Sequence, residues 1–216
     1  MNKANLKNKI RHIFEFFGCG KYSRMGKNNM DTQLAAYLPD KGVFIEAGGF
    51  DGIYASNTYY LEKIKHWTGI LIEPVPEYYE KCRKIRKRSR VFNCALTEDS
   101  DATPFLHLDI KDSASSIIKE QDGECVKVKA EKLSDILDRT GISNIDFFSL
   151  DVEGFELEVL KGLDFTRHRP AFILVEALNQ EMQDKLTRFL NSNKYSLIDQ
   201  LSHRDFLFKD ETVSTD

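Results

Sequence analysis

Five acidic residues stand at the ends of short apolar runs, where carboxylates must be solvated, paired or bonded to a ligand. Glu46 closes Val43-Phe44-Ile45, Glu73 closes Gly69-Ile70-Leu71-Ile72, and Asp151 and Glu153 follow Phe147-Phe148-Ser149-Leu150; Glu176 follows Ala171-Phe172-Ile173-Leu174-Val175. Behind Glu46 the chain breaks into Gly48-Gly49-Phe50-Asp51-Gly52. Glycines without a Cβ let a backbone turn sharply and approach a ligand closely. A dinucleotide site places pyrophosphate on the next helix N-terminus, so a carboxylate at this strand tip opposes phosphate. Glu46 instead suits a ligand carrying positive charge. S-adenosylmethionine, with its sulfonium and ammonium groups, meets that description. Glu73 lies 21 residues after Gly52, the spacing at which doubly wound folds hold both ribose hydroxyls. That spacing also occurs in nicotinamide enzymes, so it indicates a nucleoside without naming it. A glycine-rich turn by itself marks only a βα connection.

These acids need a sheet to hold them at one rim. The apolar runs at 43–46, 69–73, 91–96, 145–150 and 171–175 read as strands, separated by helical patterns at 57–65, 132–140, 156–161 and 180–192. Ser56 stands as an N-cap, Pro74 and Pro76 open a helix, and Gly141 and Gly162 stop two others. Strand and helix alternation of this kind predicts a doubly wound, Rossmann-like α/β sheet. Residues 195–198 and 206–208 read as a closing hairpin, and 105–108 and 126–129 as two extra short strands. The polar stretch 109–123, with Ser113, Ser115 and Ser116, reads either as a lid or as a surface excursion. The end of the 91–96 strand would wall the nucleoside base, with Asn93 or a backbone group near the ring.

Residues 1–20 place Leu6, Ile10, Ile13, Phe14 and Phe17 at helical spacing among Lys3, Lys7, Lys9 and Arg11. Such a helix docks on its own domain or a sister subunit more readily than on a membrane, which also leaves a homo-oligomer open. The glycine- and asparagine-rich residues 18–30 read as a loop and a short helix follows at 31–38, so the division is 1–30 and 31–216. With 216 residues, 41% hydrophobic, the chain can bury one good core. Its net charge of −3 gives no global pull toward nucleic acid. The basic run Lys81 to Arg90 reads as a solvated helix face rather than an anionic-substrate patch. Cys19, Cys82, Cys94 and Cys125 have neither zinc nor disulfide spacing, and no apolar run is long enough for a membrane span or signal core. A cytoplasmic location is the expectation.

Phe44-Ile45-Glu46-Ala47-Gly48-Gly49-Phe50-Asp51-Gly52, Ser56-Asn57-Thr58, Leu71-Ile72-Glu73-Pro74 and Asn93-Cys94-Ala95-Leu96 form one ordered set of motifs. Ile145 through Glu156, carrying Asp151-Val152-Glu153-Gly154, and Leu160-Lys161-Gly162 form the second. Over about residues 31–208 the chain resembles the FkbM-type methyltransferases, a family of class I S-adenosylmethionine-dependent enzymes. The resemblance implies a mostly parallel seven-stranded sheet with a reversed last strand, and O-methylation of a sugar or other small-molecule or glycan hydroxyl. It places Glu46, Gly48 and Gly52 under the methionine part of the cofactor and Glu73 on its ribose. With Gly49, Asp51, Asn57, Asn93 and Ala95 these complete the expected cofactor-binding set. Ser149 departs from the pattern, since many relatives have lysine two residues before the aspartate.

Methyl transfer from a sulfonium mainly requires alignment, and a hydroxyl acceptor gains from a base. Asp151 is the first candidate because the fourth-strand tip faces the transferred methyl. Glu153 and Glu176 come next, orienting the acceptor or helping to hold Mg²⁺, for which Asp151 with Glu176 is an oxygen-rich pair. Glu153 also reads as a helix N-terminal acid favoured by the macrodipole. His107 and His203 are lesser base candidates beside short strands, and His12, His66 and His168 read as surface or packing residues. A nicotinamide oxidoreductase would need Gly-x-Gly-x-x-Gly, which glycines 48, 49 and 52 do not form. A non-catalytic module on the same fold is the other alternative.

Overall fold

The apolar runs become parallel strands buried on both faces, which is why they read as nearly continuous hydrophobic segments. The computed structural model describes residues 3–111, 114–118 and 125–212. In chain order, α1 is Lys3–Phe16, α2 Met30–Leu34, β1 Val43–Ala47, α3 Tyr59–Lys63, β2 Thr68–Ile72 and α4 Pro76–Ile85. Next come β3 (Ser89–Phe92), β4 (Ala95–Leu96), β5 (Phe105–Lys111), β6 (Ala114–Ile118) and β7 (Cys125–Glu131). The remainder is α5 (Leu133–Thr140), β8 (Asn144–Leu150), α6 (Glu156–Lys161), β9 (Arg169–Glu176), α7 (Gln180–Ser192), β10 (Tyr195–Gln200) and β11 (Asp205–Asp210).

The main sheet has seven strands in the order β10-β11-β9-β8-β1-β2-β3. β1 lies parallel between β2 and β8, while β11 runs antiparallel to both β9 and β10. The last strand is therefore reversed, as expected. Ile45, Phe148 and Ile173 meet the helices on one face, and Phe44, Phe147 and Leu174 fill the other, all essentially inaccessible. Each such side chain contributes about 1.5–3 kcal/mol by leaving water. Because the order of strands reverses beside β1, the carboxyl ends of β1, β2 and β8 open into one crevice.

Four strands form a second sheet, β4-β7-β5-β6. The expected single strand at 91–96 is thus divided. Residues 89–92 stay in the main sheet, whereas Ala95–Leu96 leaves to pair with β7. Asn93 stands at the break and donates to the carbonyls of Glu73 and Pro74 at 2.9 Å each, which fixes the change of direction. The polar stretch 109–123 holds more order than expected. β5 continues to Lys111 and pairs antiparallel with β6, where Ser115 and Ser116 lie. Ser113 and residues 119–124 fall outside the described residues.

Two surface helices depart from their sequence pattern. Lys81 and Arg83 of α4 are solvated and pair with Glu77 and Glu80, but Arg86 just beyond them is completely buried. α1 meets its own domain through Arg11 and Glu15, for which Tyr59 and Ser23 are polar partners, and Phe14 packs on Tyr22, while Ile10, Ile13 and Phe17 point outward. The side chain of Leu6 is outside the described set. Among the described residues no helix is long and apolar enough to cross a membrane.

Candidate active site

The carboxyl ends of β1, β2, β4 and β8 surround a cavity of about 1000 Å³ of empty space, its open mouth included. Gly48, Glu73, Ala95, Asp151 and Glu153 from the sequence-based set line it. Its apolar half is Ile72, Cys94, Leu96, Leu108 and Val159, and Phe50, Tyr54, Tyr78 and Phe155 add aromatic surface.

Gly48 is what lets two strands deliver residues to one place. It has φ +91°, and a Cβ there would fall 1.9 Å from the Asp151 carbonyl oxygen. Behind it, the Asp151 amide donates to the Ala47 carbonyl at 3.1 Å. Glu73 is buried, and each of its oxygens accepts one backbone N–H, from Phe50 at 2.7 Å and from Val75 at 2.9 Å. Each oxygen keeps a free lone-pair direction, so a vicinal diol can donate to both. Burial pushes the Glu73 carboxyl up to about 7. Asp51 accepts from the amides of Ile53 and Tyr54 and so shapes the loop rather than the lining. Phe50, Ala55 and Glu153 hold φ values of 45°, 58° and 55° without being glycine, and all three line the cavity. Such conformations cost about 1–3 kcal/mol each and persist where the surroundings enforce them.

Three acids converge around Asp151, the only one of them that lines the cavity. Asp151, Glu156 and Glu176 each bring a carboxylate oxygen within 4.8 Å of the others. One oxygen of Glu156 accepts from the amides of Val152 and Gly154 at 3.0 and 3.1 Å. Oδ1 of Asp151 and Oε2 of Glu156 and Glu176 are buried without a hydrogen-bond partner. Burial, and then the neighbouring charge of Glu176, raises Asp151 to about 7. Burial likewise raises Glu176 and Glu153. Asp151 and Glu176 form one tightly coupled system in which two negative charges repel, so the pair retains a proton toward neutral pH. Lys27 lines the same cavity, and its positive charge pulls Asp151 back down.

Glu46 does not line the cavity. Its carboxylate accepts from Ser56 Oγ (2.9 Å), the Asn57 amide (3.0 Å), Thr58 Oγ1 (2.6 Å) and Arg86 Nη1 (3.1 Å). Arg86 also holds Glu62 at 2.9 Å through Nε. Every partner here belongs to the protein, and this buried knot ties β1 to the following loop and to α4. Asn57 belongs to the same layer, donating to Ser149 Oγ at 3.0 Å. Gly49, Gly52 and Asn93 also stand behind the lining, as does Glu176, which interacts with Asp151 and with the charge of Glu153. Sequence reasoning missed Lys27, Tyr54, Tyr78 and Phe155. Gly26, Asn28 and Asn29 around Lys27 signalled a sharp backbone turn, and both asparagines are left-handed at φ 54° and 58°, but nothing local revealed where that loop lands. His107 and His203 lie outside the lining, while His168 is buried against Asp138 at 3.0 Å.

A parallel sheet with a reversed last strand, and a crevice at the tips of β1, β2 and β8, is the architecture of the Rossmann-like class I methyltransferases. The structure superposes on a TehB-like SAM-dependent methyltransferase from Corynebacterium glutamicum with TM-score 0.51 and 12% identity, covering 97% of this chain and 100% of that one. Fibrillarin from Aeropyrum pernix, solved with natively bound S-adenosyl-L-methionine, gives TM-score 0.51 and 10% identity over 86% of this chain and 74% of its own. At these identities the likeness defines the fold. The sequence itself matches the methyltransferase FkbM domain model over residues 46–197. The chain belongs to the FkbM methyltransferase family. Curated proteins gave no significant match.

Proposed function

We propose that this protein is an S-adenosylmethionine-dependent O-methyltransferase acting on a hydroxyl of a sugar or another small-molecule or glycan acceptor. The observation that carries the reading is one cavity with Glu73 at one end and Asp151 and Glu153 at the other. Glu73 accepts from the ribose hydroxyls, and the cavity's apolar half with Ala95 takes the adenine. Gly48 allows the methionine portion to lie against the backbone, over a loop shaped by Gly49, Asp51 and Gly52. Glu46, Asn57 and Asn93 support that seat from behind.

The cofactor supplies an electrophilic methyl group on a sulfonium. Asp151 would take the proton of the acceptor hydroxyl, leaving that oxygen to receive the methyl group that the sulfonium would release. A base with a pKa near the working pH is the most effective for this transfer. Glu176 shares the proton that Asp151 receives, and Glu153 orients the acceptor. Within this reading residues 31–216 are the transferase domain, and residues 1–30 reach it through Lys27. Four free cysteines, two of them buried, support a reducing, cytoplasmic setting.

Oxygen donors such as Asp151, Glu156 and Glu176 also suit Mg²⁺. We read them as a proton-sharing group, since deprotonation by Asp151 meets the need a metal would serve. The test is transfer of labelled methyl from S-adenosylmethionine to a panel of sugar and glycan acceptors, with EDTA or with Mg²⁺. Cofactor-product binding should be micromolar for S-adenosylhomocysteine, with no response to NAD⁺, and label should enter a hydroxyl equally with EDTA. Label entering nitrogen acceptors alone would overturn O-methylation, and EDTA-sensitive transfer restored by Mg²⁺ would make the three acids a metal site.

A further inference from the structure

We propose that α1 docks this protein on an anionic lipid surface, inserting Ile13, Phe16 and Phe17 among the headgroups. Phe14 packs back on the Tyr22 ring at 4.9 Å, while Ile10, Ile13, Phe16 and Phe17 face outward. Arg11 is buried beneath the helix with its guanidinium 5.4 Å from the Tyr59 ring centroid, and Glu15 accepts from Tyr59 Oη at 2.8 Å and Ser23 Oγ at 2.9 Å. Those contacts hold the polar side against the domain. On the opposite side Phe16 is 85% exposed, Phe17 78% and Ile13 57%, with Ile10 beside them at 36%. Large apolar side chains grouped this way mark an interaction surface rather than ordinary surface scatter.

Charge decides which partner fits. Residues 1–30 contain Lys3, Lys7, Lys9, Arg11, Lys21, Arg24 and Lys27 against the single acid Glu15, a net charge of +6. The whole chain carries −3, so the remaining residues carry −9. The one acid of the segment is turned inward, whereas Lys9 and Lys21 are exposed. A second copy would bring two strongly positive segments together, which disfavours a dimer through this face. An anionic bilayer supplies both an apolar layer for the aromatic side chains and counter-charge for the lysines. At 14 residues α1 lies on such a surface and does not span it.

The experiment is co-flotation of the full chain with vesicles of phosphatidylcholine alone or with about 30% phosphatidylserine, at low and high salt. Binding should require the anionic lipid and fall at least about tenfold between 50 and 500 mM salt, as screening shortens the reach of the lysines. Phe16→Ser with Phe17→Ser should weaken it at least about tenfold, with circular dichroism and Tm unchanged, because both side chains are exposed. Lys9→Glu with Lys21→Glu, which leaves the apolar tip intact, should do the same. Absence of binding to anionic vesicles at low salt overturns the proposal, as does equal binding to phosphatidylcholine or indifference to both double variants. Sedimentation velocity showing a dimer that Phe16→Ser with Phe17→Ser dissolves, without vesicle binding, would assign the face to a second copy.

Discussion

Replacing Asp151 by Asn removes a buried charge while keeping size and hydrogen-bonding shape, so it separates stability from chemistry. In the folded protein burial and the Glu176 charge raise the Asp151 carboxyl from 3.8 to about 7. A folded pKa above the unfolded one means that this carboxyl costs the wild type nothing where it is protonated in both states, below about 4. Stability is then lost as pH rises toward 7, where the folded protein must ionise a buried acid beside another. A displacement of this size corresponds to at most about 4 kcal/mol. The shared proton and water entering the cavity reduce this, and about 1–3 kcal/mol is the expected gain of Asp151→Asn above pH 8. For a chain of this length that is about 3–10 °C in Tm. The gain should vanish near pH 4. Differential scanning fluorimetry from pH 4 to 9 reads this without an acceptor, and calorimetry with S-adenosylhomocysteine checks that the cofactor seat is intact. A gain independent of pH, or a loss throughout, would refute the buried, proton-sharing account of Asp151. Transfer by the same variant should drop by about 10²–10⁴ if Asp151 is the base.

Gly48→Ala should cost about 3 kcal/mol or more, because its Cβ would collide with the Asp151 carbonyl at a left-handed φ; chemical denaturation measures it, and a change under 1 kcal/mol would disprove that close approach. Arg86→Met should cost about 3–5 kcal/mol by leaving Glu46 buried without its counter-charge and Glu62 with Lys63 alone; an unaltered denaturation midpoint at pH 7 would show the knot to be dispensable. Glu73→Gln should weaken S-adenosylhomocysteine about 10- to 100-fold, since a charged acceptor for the ribose is lost, and unchanged affinity by calorimetry would move the ribose elsewhere.

The strand and helix order was legible because apolar periodicity and the glycine and proline stops are local properties. The helical pattern at 180–192 coincides with α7 at Gln180–Ser192. The run 91–96 reads as one strand because its apolar content is continuous, yet its partners change from β2 to β7, and pairing is a property of two segments. β6 is illegible for a related reason: Ser115 and Ser116 are poor strand formers that pair with β5. For the same physical reason the orientation of α1 was not readable, since an apolar stripe shows which side is greasy but not what the domain offers it.

For the site, residue order alone shows that acids and glycines end the strands, because a buried run must stop where it meets polar work. What surrounds each acid depends on the fold. Glu46 and Glu73 look alike as strand-tip carboxylates, yet Glu46 is enclosed by Ser56, Thr58 and Arg86, whereas Glu73 faces the cavity. Arg86 lies 40 residues beyond Glu46 and Lys27 lies 124 residues before Asp151. The electrostatic environment of a carboxylate falls off over a few ångströms of space, not over positions along a chain. The acid's identity was therefore written in the sequence, and its chemistry was set by what folding brought beside it.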